Sequence, residues 1–279
     1  MSKLVYLNKK YVDFKDAKIH IDDRGFQFSD SVYEVAKVIN KKLIDFNFHM
    51  RRLKYSTREL KFNIKIDNIF FHKIFINLIK KNKLTNGIIY LQVTRGQQSR
   101  AHAYKKNLKP NIIAYTTKKK FNLPNKNFKG FKAITYPDIR WGRADIKTTS
   151  LLANILAATE ASNKGAYETI LFKHNVITEA THSNVWIIKK NTIITHPANK
   201  KILKGVTRTV LINLIRSLEM NLSEREFSIN ELYKSDEVFI TSSGSLITPI
   251  IKIDKIKINS GKIGPVTKSL AEIFYKAIN

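Results

Sequence analysis

Residues 118–130 interrupt the apolar patterning of this chain with a polar stretch that carries Pro124, and it reads as a connection between two domains. Ahead of it, residues 4–14 and 33–46 read as hairpins turning at Asn8-Lys9 and Asn40-Lys41. Helical patterns follow near residues 48–60 and 67–81, and strand-like runs at 88–94 and 111–116 complete the set. Beyond the break come a strand-like run at 131–136, a helix over 149–163 closed by Gly165, and strands around 169–172 and 187–195. A helix starting at Val206 and an amphipathic helix over 265–278 end the chain. The expected architecture is α+β in two domains: a small N-terminal domain over 1–119, a linker over 120–130 and a larger domain over 131–279. A chain of 279 residues with 43% hydrophobic content has enough apolar material for one large core or two modest ones.

Charge invites a different function, because 50 Lys+Arg against 22 Asp+Glu leave a net +28 that favours polyanions. The lysines are spread along the whole length, as in Asn8-Lys9-Lys10 and Lys189-Lys190-Asn191, and no recognisable nucleic-acid-binding motif accompanies them. A basic nucleic-acid-binding protein on a degenerate scaffold is therefore the lesser alternative, and a preference for anionic substrates the milder consequence. The absence of cysteine removes disulfides, thiolate metal sites and cysteine nucleophiles. The seven histidines form no His-Glu-x-x-His pair, so no metal site is expected; Gly261-Lys262 lacks the spacing of a phosphate-binding P-loop, and no Gly-x-Ser-x-Gly elbow occurs. The start, Met1-Ser2-Lys3-Leu4, does not have the pattern of a secretory leader, and no apolar run has the length of a membrane span. The cytoplasm is the expected compartment.

Two residues carry the chemistry. Lys147, in Asp145-Ile146-Lys147-Thr148-Thr149-Ser150, stands where a strand gives way to a long apolar pattern. A free lysine with a pKa of about 10.4 is almost wholly protonated at neutral pH, so a Schiff-base lysine needs desolvation or nearby cations. Arg140 and Arg143 lie close upstream to supply that charge, with Asp145 opposing them; the plain alternative is a solvated surface lysine. Glu179 lies in Val176-Ile177-Thr178-Glu179-Ala180-Thr181-His182-Ser183-Asn184-Val185-Trp186, read as two apolar strands around a short polar segment. A carboxylate between buried strands requires a cation or a protonated ring nitrogen, unless it closes a hairpin in water.

These residues belong to an ordered series: Tyr33-Glu34, His49-Met50-Arg51-Arg52, Thr94-Arg95-Gly96, Lys147, Thr178-Glu179, Leu203-Lys204-Gly205-Val206-Thr207-Arg208, and Thr241-Ser242-Ser243. Over nearly its whole length the chain resembles the fold-type IV pyridoxal-phosphate enzymes, and among them the D-amino acid aminotransferases. The resemblance implies a small N-terminal α/β sandwich-like domain, a larger C-terminal pseudo-barrel domain, a homodimer and pyridoxal 5'-phosphate as cofactor. It gives Lys147 the Schiff base and the proton transfers, as base and then acid. Glu179 falls to the pyridine nitrogen, and Arg52, Val206, Thr207 and Ser243 to the phosphate, with Gly205 permitting close approach. Leu203 matches an apolar residue on the ring face opposite the lysine.

Substrate choice rests on Arg100 and His102, in Ser99-Arg100-Ala101-His102, together with Tyr33. In the resembling family an Arg-x-His here holds the substrate α-carboxylate, which decides the face of Cα shown to the lysine. Without the resemblance this is a basic loop between two strands. The implied reaction moves an amino group between a D-amino acid (D-alanine, D-glutamate or D-aspartate) and a 2-oxo acid; an L-branched-chain aminotransferase and an aminodeoxychorismate lyase are the alternatives of the same fold. The chain departs from the family at Ser29 and Ser31, where glycines are common, at Ala180 and His182, and at Gly244.

Overall fold

A computed structural model describes residues 3–278; Met1, Ser2 and Asn279, which fall in the expected domains 1–119 and 131–279, lie outside the described residues. The chain divides into two compact units, one running through Lys120 and including Ile146–Ser150, the other formed by Phe121–Asp145 and Leu151 onward. The short segment that carries Lys147 thus leaves the second unit, belongs to the first, and returns.

The first unit contains β1 (Leu4–Leu7), β2 (Lys10–Asp13), α1 (Arg24–Phe28), β3 (Ser31–Ile39), β4 (Lys42–Leu43), α2 (Phe46–Glu59), α3 (Asn68–Lys81), β5 (Gly87–Thr94) and β6 (Asn111–Lys118). Its six strands pair antiparallel in the order β2-β1-β6-β5-β3-β4. Both expected hairpins turn where the sequence places them, with Asn8, Lys9, Asn40 and Lys41 all at positive φ, as two-residue turns between twisted strands require. In α3 the side chains of Phe71, Ile74, Phe75, Leu78 and Ile79 recur at helical spacing and are buried, while Asp67 caps the N-terminus by accepting from the Ile69 amide at 2.8 Å. These residues, with Met50 and Leu53 of α2 and Val32, Leu91 and Val93 of the sheet, make one core, and Ile146 joins it.

The second unit begins with β7 (Phe131–Pro137), α4 (Leu152–Asn163), β8 (Glu168–Lys173), β9 (Val176–Ala180), β10 (Asn184–Lys189) and β11 (Thr192–Thr195). It continues through α5 (Val206–Ser217), β12 (Leu222–Glu224), α6 (Ile229–Tyr233), β13 (Glu237–Ser242), β14 (Leu246–Ile253), β15 (Ile256–Lys257) and α7 (Pro265–Ile278). The sheet runs β12-β11-β10-β13-β14-β7-β8-β9, with β15 on β14; the pairs β11·β12, β14·β7 and β7·β8 are parallel and the others antiparallel. β9, the last strand in that order, comes back beside β10, so the sheet curls on itself. Its core gathers Ile170, Ile177, Val185, Ile187, Ile240 and Ile250.

Three expectations shift. The strand expected around 187–195 is the β10–β11 hairpin, turning at Lys190-Asn191 with both residues at positive φ. The helix expected from residue 149 starts at Leu152, because the Thr148 hydroxyl and the Thr149 amide both bond the Ser31 carbonyl and hold the chain out of helical geometry. Glu179 lies within β9 and not in a polar segment between strands. Among the described residues no helix is long and apolar enough to cross a membrane.

Ile146 is 4% exposed and is the core anchor next to Lys147. Ile146→Ala is expected to cost about 2–5 kcal/mol, read as a lowered urea midpoint; an unmoved midpoint would show that the segment is held by its backbone alone.

Candidate active site

Lys147 reaches its place through its backbone. In the first unit the Tyr33 amide donates to the Lys147 carbonyl at 2.9 Å, and the Lys147 amide donates to Ser56 Oγ at 3.1 Å. Thr148 extends the pairing as an antiparallel bridge to Val32. With the backbone held on both sides, Lys147 Nζ lies 4.0 Å from the centre of the Tyr33 ring, and that ring stacks on Tyr90 at 5.6 Å. The ring quadrupole attracts an ammonium, by roughly 0.5–1 kcal/mol where solvent is near, and so biases where the amine ends. Burial, then the neighbouring phenols Tyr115 and Tyr33, push the Tyr90 hydroxyl above its ordinary pKa, and Tyr90 stays neutral.

Arg52 lies on α2 and faces Glu34 on β3: Nε and Nη2 both donate to its carboxylate, each at 2.8 Å. His49 Nδ1 meets the same carboxylate at 2.7 Å. Burial alone would raise the Glu34 pKa, but the Arg52 guanidinium and His49 outweigh it and hold it at about 2. His49 itself is pushed below its usual range by burial despite Glu34. The His-x-x-Arg motif is thus locked from beneath by a glutamate that the sequence quoted only as the neighbour of Tyr33.

Arg100 and His102 are exposed on the β5–β6 loop and flank one ring, Phe28, with the Arg100 guanidinium 4.7 Å and the His102 ring 5.7 Å from its centre. Sequence reasoning missed what holds them. Arg24, almost fully buried, donates to the Ala101 carbonyl at 2.7 Å and the His102 carbonyl at 2.9 Å, and is itself fixed by Asp30 at 2.8 Å. Arg95 donates to the same Asp30 oxygen at 2.7 Å and packs on Tyr104. One arginine among 50 Lys+Arg carries no signal of this kind.

In the second unit Glu179 is buried, and its carboxylate accepts from Arg140 Nη1, from the Leu203 amide at 3.1 Å and from Asn184 Nδ2 at 3.0 Å. Burial raises its pKa, against the pull of Arg140. Arg140 and Arg143, offered by the sequence as cations for Lys147, are bound to carboxylates: Arg140 to Glu179 and Asp138, Arg143 to Asp145. Asn184 also donates to the Leu203 carbonyl at 2.9 Å, so it ties Glu179 to the loop that enters α5. That loop needs Gly205, where a Cβ would fall 2.0 Å from Asn184 Oδ1.

The start of α5 has the features of an anion cradle. Its N-cap, Gly205, supplies no side-chain cap, the amides of Val206 and Thr207 lie in the first turn, and the buried Thr207 hydroxyl has no hydrogen-bond partner among the described residues. An orphaned buried hydroxyl at the positive end of a helix fits a phosphate. Ser243 sits partly exposed in the β13–β14 turn, beside the Ser242–Ser245 hydroxyl pair at 2.7 Å. His182, one of the departures, pairs at 2.6 Å with Glu168, which is buried.

The sequence profile described as Amino-transferase class IV matches residues 31–253, a span that includes Tyr33, Arg52, Lys147, Glu179 and Thr207. The chain belongs to the class IV aminotransferases. It is 35% identical to the D-alanine aminotransferase of Staphylococcus aureus (strain MSSA476), covering 98% of this chain and 97% of that protein. It is 37% identical to the D-alanine aminotransferase of Listeria monocytogenes serotype 1/2a (strain 10403S), over 98% and 96%. The fold is also that of the branched-chain amino acid aminotransferase of T.th. solved with pyridoxamine 5'-phosphate, at TM-score 0.90 and 21% identity over 99% of this chain and 94% of that one. Aminotransferases of this fold type use pyridoxal phosphate.

For this class IV aminotransferase the orphaned hydroxyl gives a direct check. Thr207→Val preserves shape and removes the donor, so apoenzyme titrated with pyridoxal phosphate should bind about tenfold more weakly, the worth of one hydrogen bond to a charged group, with the circular dichroism spectrum unchanged. Equal affinity would take Thr207 out of the phosphate cradle.

Proposed function

We propose that this aminotransferase exchanges the amino group of a D-amino acid, with D-alanine, D-glutamate and D-aspartate as the candidates, for the oxygen of a 2-oxo acid. The observation that carries the reading is the loop that presents Arg100 and His102 on Phe28, clamped from behind by Arg24. It is supported by full-length likeness to proteins named D-alanine aminotransferase. The branched-chain likeness, at 21% identity, extends to the fold alone.

When bound, pyridoxal phosphate supplies an electron sink for charge developing at the substrate Cα. Lys147 Nζ would move the proton between substrate Cα and the cofactor's C4′, as base and then as acid, from a backbone fixed by the bonds to Tyr33 and Ser56. Arg100 has the planar fork that takes a carboxylate in two bonds, with His102 beside it; fixing the α-carboxylate there fixes which hydrogen of Cα points at the amine. Glu179 would meet the pyridine nitrogen with its carboxylate, and Leu203, whose amide holds Glu179, would be the apolar residue against the ring. In the second unit Val206, Thr207 and Ser243 would hold the phosphate, and in the first Arg52 is the arginine that the resemblance gives to it. The active form is a homodimer: on α4, Leu152, Ile155 and Leu156 are 72%, 57% and 51% exposed at i, i+3 and i+4, a face suited to a second copy of the chain. Equilibrium sedimentation should return twice the chain mass; a monomer at micromolar concentration would remove the dimer.

The deciding experiment is a stopped-flow half-reaction of the cofactor-loaded enzyme with D- and L-alanine, D- and L-glutamate, and L-leucine. The D-enantiomers should convert the bound cofactor, and faster conversion by L-leucine would overturn the assignment. In the same assay Arg100→Ala should raise the D-alanine concentration needed by roughly tenfold or more while cofactor retention stays unchanged, as expected for a lost charged contact to substrate. Equal loss of both would make Arg100 a scaffold residue.

A further inference from the structure

The assignment of Glu179 to the pyridine nitrogen leaves open what keeps a buried carboxylate charged and aimed. The second unit holds a chain of buried groups that ends on it. Thr178 Oγ1 donates to Asp138 Oδ2 at 2.7 Å; Asp138 takes Arg140 in a fork, Nε to Oδ1 at 2.9 Å and Nη2 to Oδ2 at 2.7 Å. Arg140 Nη2 also donates to the Lys201 carbonyl at 3.1 Å, and Nη1 bonds Glu179. The side chains of Asp138, Arg140 and Glu179 are 7%, 9% and 6% exposed, so solvent does little to screen them. Of the lysines that line the neighbouring cavity, Lys173, Lys200 and Lys201, the last directs its amine to Glu226 at 2.6 Å. Two carboxylates therefore share one guanidinium, and because Asp138 holds the fork, one negative charge on Glu179 is left only partly compensated. A protonated ring nitrogen would complete it.

We infer that Arg140 is a positioning residue of this aminotransferase: with Asp138 behind it, it fixes the direction of the Glu179 carboxylate and keeps it ionised towards the cofactor's ring nitrogen. This rests on the proposed role of Glu179. The ionisation of the cluster agrees with the geometry: burial would lower the Arg140 pKa, but Glu179 and Asp138 raise it, while Asp138 is held below the ordinary carboxylate range by Arg140 against the effect of burial. Removing the guanidinium takes away the largest opposition to burial at Glu179 and leaves only the neutral donors of Leu203 and Asn184; its pKa, already raised, rises further, and a protonated Glu179 no longer holds a ring proton. A cavity of about 320 Å³ lined by Asp138, Arg140, Trp141, Thr178 and Lys200 gives access to this guanidinium. With the arginine side chain removed, that cavity would offer a guanidinium ion from solution a path to the vacated position.

The test compares the pyridoxal-phosphate-loaded wild type with Arg140→Ala and Arg140→Lys by the visible absorption of the bound cofactor against pH, cofactor affinity and the D-alanine half-reaction. Arg140→Ala should remain coloured, show its spectral transition displaced by about one pH unit, and react roughly tenfold or more slowly, in line with one pKa unit per factor of ten. Guanidinium at non-denaturing concentration should restore several-fold of the lost rate in Arg140→Ala and none in wild type; Arg140→Lys, a point charge without the fork, should fall between. If Arg140→Ala does not fold, Arg140→Lys carries the same readings. A spectrum, transition and rate equal to wild type in the folded variant, or a loss of rate with an unmoved transition and no rescue, overturns the inference. A colourless wild type would instead remove the proposed function itself.

Discussion

The hydrogen bond from the Tyr33 amide to the Lys147 carbonyl anchors the segment on which the proposed chemistry depends. Lysine has four rotatable carbons and a strongly hydrated end, so its side chain cannot place its own nitrogen. Placement comes from the backbone: Lys147 is bonded to Tyr33 on one side and Ser56 on the other, Thr148 is bridged to Val32, and Ile146 is sunk in the first unit's core. The amine then lies 4.0 Å from the centre of the Tyr33 ring. A five-residue detour between units thereby becomes the most constrained stretch of the candidate site.

Two glutamates, each paired with arginine, illustrate how count decides charge. Glu34 has a whole fork of Arg52 and a histidine, and its pKa drops to about 2 despite complete burial. Glu179 shares Arg140 with Asp138, and burial prevails, so its pKa rises. The first is a closed arrangement suited to holding Arg52 still. The second keeps unmet demand for positive charge, as the proposed partner of a protonated ring nitrogen would.

The +28 charge has less to do with the site than its size suggests. The arginines that shape it, Arg24, Arg52, Arg95 and Arg140, are each bound to a carboxylate. Arg100, on its exposed loop, lies instead against the Phe28 ring. The lysine excess gives the molecule a positive field that salt weakens.

Local chemistry was legible in the residues themselves. Asn8-Lys9 and Asn40-Lys41 announce two-residue turns because asparagine tolerates positive φ, and the spacing of Phe71, Ile74, Phe75 and Leu78 announces a buried helical face. The ordered series from Tyr33 to Ser243 brought the cofactor class with it, and the family match agrees. What could not be read is partnership across distance. Nothing in the sequence says that Arg140 turns to Glu179 rather than to Lys147, that Arg24 reaches 78 positions along to hold the His102 carbonyl, or that Thr148 and Thr149 give up a helix start to bond Ser31. Turns and faces follow from the energies of neighbouring residues, which the sequence states directly. The pairing of one arginine among many is chosen by which carboxylates folding buries beside it, and only the packed chain makes that choice.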